Sequence, residues 1–205
     1  MDNIAIQDIL ALEREAEQLV KLTSDMHAAP MFDPELGVGS GEAMQIELEY
    51  IHNISKRYQR PYAIILIDMD SYSGYESQYG TRAAKLAHKL MAEHVRHCCR
   101  TVDRIYRCGA ETALLLILPE TDFAGSSILA GRIVSAFAGR NIPFTESEPK
   151  VLTLSASPAA VKLDQGVPVS NWSDLLDDAL LYVKVAQGQG GNRVCHRDLI
   201  EEAAS

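Results

Sequence analysis

AIILIDMD, residues 63–70, is an unbroken apolar run closed by two acids. It shows no alternation of apolar and polar positions, so it reads as a strand buried on both faces at the centre of a sheet. Upstream lies a Gly-rich loop at 33–41, then a helix with Met44, Leu48, Ile51, Ile54 and Tyr58 on one face. Downstream, a helix over 81–99 turns Ala83, Ala87, Leu90, Met91 and Cys98 inward. Strands follow at 102–108 and 112–118 around a tight turn at Gly109. Thr121 or Asp122 caps the next helix, to about residue 138. A strand spans 150–161, and Ser173 caps a last helix whose first turns carry Asp174, Asp177 and Asp178, as the helix dipole prefers. The order α-β-α-β-β-α-β-α contains βαββαβ, a ferredoxin-like α+β core.

Residues 5–27 form a polar helix with an apolar seam of Ile9, Leu12, Ala16, Leu19 and Met26, Thr23 filling the missing step. The seam either folds back on the domain or pairs two copies as a short coiled coil. The chain therefore divides into 1–29, an N-terminal helix; 30–199, the domain; and 200–205, a tail.

Of 205 residues, 47% are hydrophobic and 23% charged, and the net charge is −9. That balance opposes general binding to nucleic acid or anionic membrane, while leaving room for a local basic pocket. No apolar run approaches the ~20 residues that span a bilayer, so no membrane insertion is expected. The start, Met1-Asp2-Asn3-Ile4, lacks a signal peptide's basic and apolar stretches, so the cytoplasm is the expected location. Cys98, Cys99, Cys108 and Cys195 have no CxxC spacing and read as reduced thiols. His94, His97 and Cys98 share a helical face, which fits packing better than a metal. Gly37-x-Gly39-x-Gly41 follows no strand and is not a dinucleotide fingerprint.

Asp68 and Asp70 end the central strand and are expected to face apart, so that one serves a given site. With Glu111 at the hairpin tip, that carboxylate would hold Mg²⁺ for phosphoryl transfer. The spacing alone fits acids that only solvate strand and turn ends better than it fits a metal site.

Four stretches resemble, in order, the motifs of the GGDEF (diguanylate-cyclase-like) family. DPELGVGSGEAM (33–44) is similar to its opening DxLTGLxNRR, and LIDMDSYSGYESQYG (66–80) to its LxDxDxFKxxNDxxG. RCGAETALLLILPETD (107–122) is similar to its R-x-GGDEF hairpin, and DDALLYVKVAQGQGGNRV (177–194) to its ADxALYxAKxxGRNRV ending. The resemblance implies a nucleotide-cyclase-like fold, with Asp68 and Glu111 on the two metal carboxylates. It also shows departures. The signature reads Gly109-Ala110-Glu111-Thr112-Ala113, so Thr112 replaces its second acid and Ala110 its second glycine. The guanine-reading Asn and Asp fall on Glu76 and Lys85, which are expected to pair and plug the pocket. The Asn-Arg of the opening loop falls on Ser40-Gly41, and the phosphate-contacting lysine is carried over to Lys184. The strand after the hairpin is one residue longer than the family's before Pro119, which suits a bulge.

One family site reads as intact. Its inhibitory product site is an RxxD five residues before the signature, here Arg100-Thr101-Val102-Asp103. A third arginine from the next helix falls on Arg132. Guanidinium forks suit guanine and phosphate, and a carboxylate accepts from guanine N–H groups. The expectation is a catalytically inactive receptor for cyclic di-GMP at Arg100, Asp103 and Arg132. It requires no cofactor and keeps at most a vestigial Mg²⁺ site at Asp68 and Glu111. It works as a homodimer with a downstream protein the residues do not name. The rivals are an active nucleotide cyclase of altered specificity and a nucleotide-independent scaffold.

Overall fold

The computed structural model describes residues 31–109, 112–164, 167–168 and 170–197. The expected helix at 5–27 and the tail at 200–205 lie outside them, as do Ala110 and Glu111. Every element below belongs to the compact unit that begins at Phe32.

In chain order these are β1 (Phe32–Asp33), β2 (Val38–Gly39), α1 (Gly41–Tyr58), β3 (Tyr62–Met69), α2 (Tyr72–Tyr79), α3 (Thr81–Cys98), β4 (Arg104–Arg107) and β5 (Leu114–Pro119). They continue with α4 (Phe123–Ala138), β6 (Leu154–Ala160), the small hairpin β7 (Leu163–Asp164) and β8 (Val167–Pro168), and α5 (Trp172–Gly188). The six-stranded sheet runs β1-β2-β4-β5-β3-β6. Its last four strands give the ferredoxin-like order of a βαββαβ core, with all their pairings antiparallel. This is the expected fold class.

β3 is central, with β5 on one side and β6 on the other. Ala63, Ile65, Ile67 and Met69 meet α3 and α4 on one face, while Tyr62, Ile64 and Leu66 meet α1 and α5 on the other. Residues 62–67 are fully buried. Helices on both faces explain why this strand is apolar without alternation.

The expected bulge is absent. Tyr62↔Pro119 through Ile67↔Leu114 pair without a slip, as do Arg104↔Ile117 through Arg107↔Leu114. The extra residue simply lengthens the strand.

Asp122, not Thr121, caps α4, accepting from the Gly125 N–H at 2.8 Å. α5 starts earlier than expected: Asn171 caps it, and Asp174 reaches back to the Asn171 N–H at 3.0 Å, a capping box that supplants Ser173. On α3 the buried stripe is Ala84, Ala87, His88, Met91, Ala92, His94 and Val95, with Ala83, Leu90 and Cys98 at its margin. The stripe is rotated because two histidines go inside, and pattern reading counts histidine as polar. α2 and the β1–β2 pair, inside what reads as loop, were not expected.

β6 is an edge strand. The chain after α5 starts to add to it: Ala156 N–H donates to Arg193 O at 3.0 Å, and Cys195 N–H to Ala156 O at 3.0 Å. The next rung of that parallel ladder needs an N–H at position 158, which is proline, and Ala156↔Val194 is left as an isolated bridge.

Candidate functional site

Two clusters carry the residues singled out by the sequence. The first gathers at the end of β3. Asp68 is half-buried, and its Oδ1 accepts from the Met69 N–H at 2.9 Å and from the Thr112 hydroxyl. Its Oδ2 accepts from Nε2 of Gln187 on α5 at 3.1 Å, and the same nitrogen lies 3.3 Å from Met69 O. Asp70, 8% exposed, is saturated as well. Its carboxylate accepts from the hydroxyls of Thr153 and Ser155, each at 2.7 Å, and from the Asn192 N–H at 2.8 Å. The two acids do not face apart. Residues two apart on a strand share a side, and both acids meet the segment that ends α5. There Gly191 has φ +69°, and a Cβ on it would lie 2.6 Å from the Asp70 carboxyl. Only glycine passes so close with that backbone.

Thr112 is buried. Gly109, with φ +66°, turns the hairpin, and Cys108 N–H closes it on Ala113 O at 2.9 Å. Burial pushes the nearby Cys108 thiol up to about 11, and the Asp68 charge adds to the rise. Ser40 is the N-cap of α1, accepting from Ala43 N–H at 3.2 Å. Lys184 is exposed on α5, and Gln187, three residues on, is the side chain that reaches Asp68. The expected Glu76–Lys85 plug is not formed. Among the described residues the ion pairs are Arg60–Glu120, Arg107–Asp33 and Arg197–Asp178. Lys85 lies on the solvent face of α3, opposite its buried stripe, while Glu76 is half-buried on α2. Among the described residues no group of three His, Cys, Asp or Glu side chains is placed to hold a metal.

The second cluster surrounds the turn after α3. Arg100 N–H donates to Asp103 Oδ2 at 2.7 Å, and Asp103 N–H to Arg100 O at 3.1 Å. This double closure fixes the turn and leaves the Arg100 side chain exposed. Beside it opens a cavity of about 420 Å³ lined by Arg96, Arg100, Asp103, Arg104, Phe32 and the Gly37–Gly39 backbone. Arg96 reaches across from α3 and donates to Leu36 O at 3.1 Å and Gly37 O at 2.8 Å, so the opening loop becomes a wall of the cavity. Arg104 donates to Thr101 O at 3.0 Å. Gly39 allows β2 to approach, because a Cβ there would overlap the Tyr106 ring at 2.3 Å.

Arg132 does not line this cavity. It donates to Cys98 O at 2.7 Å, capping the C-terminus of α3 from α4. Asp103 and Arg132 flank Cys99, whose thiol is pushed up to about 12 by burial and by the Asp103 charge, with Arg132 opposing. The sequence reading missed Arg96, Arg104 and Gln187. The two arginines were legible as a four-residue spacing, Arg96, Arg100, Arg104. Gln187 carried no such signal, since an amide is an ordinary residue for the end of a helix.

A family model described as "Diguanylate cyclase, GGDEF domain" matches residues 33–192. Among curated relatives, diguanylate cyclase DgcS of Shewanella oneidensis is 24% identical over 134 residues, 65% of this chain and 45% of that protein. Diguanylate cyclase DgcP of Pseudomonas aeruginosa is 25% identical over 153 residues, 74% of this chain and 22% of that one. The chain thus spans less than half the length of either. Among solved structures, the coiled coil and GGDEF domain of DgcB from Caulobacter crescentus, in complex with c-di-GMP, superposes with TM-score 0.72 at 15% identity, covering 91% of this chain and 96% of that one.

Proposed function

The chain belongs to the GGDEF family, and on that premise we propose that it is a receptor for cyclic di-GMP that does not turn over GTP. One observation carries the reading. In a chain of net charge −9, three guanidinium groups and one carboxylate line a single cavity of about 420 Å³ at the RxxD turn. A ligand with two phosphates and two guanine edges matches that set. Phosphates take the cationic forks, and the free oxygen of Asp103 accepts from guanine N–H groups. Arg100, exposed on a closed turn, needs no reordering of backbone to bind. Arg132 acts from below, by holding the end of α3.

The catalytic face supports the other half of the reading. The signature's second acid is Thr112, and its hydroxyl is spent on Asp68. By the resemblance, Glu76 and Lys85 fall on the family's guanine-reading positions, where a wrong donor–acceptor pair leaves polar groups unmet at ~1–3 kcal/mol each. The deciding experiment is a calorimetric titration of the protein with cyclic di-GMP beside GTP. Binding of cyclic di-GMP that Arg100→Ala weakens about tenfold to a hundredfold is expected. Equal affinity in wild type and Arg100→Ala would refute the assignment.

A further inference from the structure

Asp68 is the carboxylate that the family pattern assigns to a divalent cation, yet among the described residues both its oxygens accept hydrogen bonds. Mg²⁺ or Mn²⁺ needs oxygen lone pairs aimed at it from ~2.0–2.2 Å. Among the described residues, the side chains that hydrogen-bond to Asp68 are the Thr112 hydroxyl from the hairpin and the Gln187 amide from α5, and both present hydrogens. Met69 O, the other oxygen at this strand end, is also met by Gln187 Nε2. The amide nitrogen stands between these two oxygens, where a cation shared by them would lie. With acceptors on both sides, the NH₂ end of Gln187 is the end that must face them, since its carbonyl there would leave three oxygens unpaired.

We propose that Gln187 and Thr112 take the place of the divalent cation, tying the signature hairpin and the end of α5 to β3 through hydrogen alone. Three elements that a cation would gather around Asp68 are gathered by one amide and one hydroxyl. The segment after α5 is fastened by the neighbouring acid, because Asp70 holds the Asn192 N–H. This end of the domain is thereby independent of metal. The inference concerns the catalytic face and does not depend on a ligand at Arg100.

The isosteric Gln187→Glu substitution is diagnostic. It replaces two donor hydrogens by a second carboxylate facing Asp68 and Met69 O. In wild type, the thermal midpoint should be the same in EDTA and in millimolar Mn²⁺, and the Mn²⁺ paramagnetic resonance signal should stay that of the free ion. In Gln187→Glu, the midpoint in EDTA should fall by about 4–10 °C and recover on addition of Mn²⁺. One Mn²⁺ bound per wild-type chain and lost in Asp68→Asn would overturn the proposal. So would a Gln187→Glu midpoint in EDTA equal to that of wild type. If Gln187→Glu does not fold, the wild-type Mn²⁺ titration decides alone. Failure of cyclic di-GMP to bind would strike the receptor reading and leave this one intact.

Discussion

At the scale of single residues, Gly191 is doubly constrained. It combines a left-handed backbone with an approach to Asp70 that excludes any side chain. Gly191→Ala should therefore cost about 2–4 kcal/mol, read as a lowered urea midpoint at unchanged slope. On the proposed receptor reading, Arg104 and Arg132 have separate roles, one lining the cavity and one holding the end of α3. Arg104→Ala removes a lining guanidinium and should weaken cyclic di-GMP about tenfold in calorimetry, with only a small fall in the thermal midpoint from the lost exposed bond to Thr101 O. Arg132→Ala uncaps the α3 C-terminus and should lower the midpoint as well. On the same proposal, Asp103→Ala should narrow the preference for guanine over adenine cyclic dinucleotides, because the carboxylate would meet the base edge rather than the phosphate. These roles were only partly legible. Arg100 and Asp103 stood out by their offset from the signature, whereas the bond from Arg132 to Cys98 O is one that only the fold reveals.

At the scale of elements, the seam between α3 and α4 turns on a buried histidine. His94 Nε2 donates to Ile133 O at 3.1 Å, and its Nδ1 accepts from Arg140 Nε at 3.1 Å, which is the pattern of a neutral ring. Burial lowers its pKa below the ordinary 6.5, the Ile133 carbonyl opposes this, and Arg140 and His97 lower it further. His88, also buried, shifts the same way, chiefly by burial. The unfolded chain therefore takes up these protons at a higher pH than the folded one. Stability is full above pH 6.5 and declines as pH falls below it. Thermal midpoints should drop between about pH 7.5 and about pH 5.5, and His94→Gln should flatten that slope. The element pattern was largely readable because β3, β5 and the helices obey simple periods. α3 was misread by a rotation because its inward face includes two histidines, of which His94 has both ring nitrogens partnered while His88 Nε2 is buried without a hydrogen-bond partner among the described residues. α2 lay in a polar stretch with only Tyr75 buried, so no period announced it.

For the molecule as a whole, the proposed loss of turnover predicts no steady formation of cyclic di-GMP from GTP with Mg²⁺ or Mn²⁺, checked by chromatography against a no-protein blank. If residues 5–27 pair two copies, as their seam implies, light scattering should give a dimer for the full chain and a monomer for one starting at residue 30. The fold class followed from the sequence because one apolar strand and a fixed order of periods leave few layouts. The catalytic face did not follow as closely, since the pairing of Asp68 with Gln187 joins positions 119 residues apart. Pro158 has its own consequence at this scale. A sheet that ends in an open strand is a template on which other chains can nucleate, and crowded solutions select for such growth. By withholding one N–H from the outer rim of β6, Pro158 interrupts that template after a single rung. Replacing it with a residue that can donate would extend the rim, and the protein should then form fibrils at concentrations where the natural chain stays dispersed.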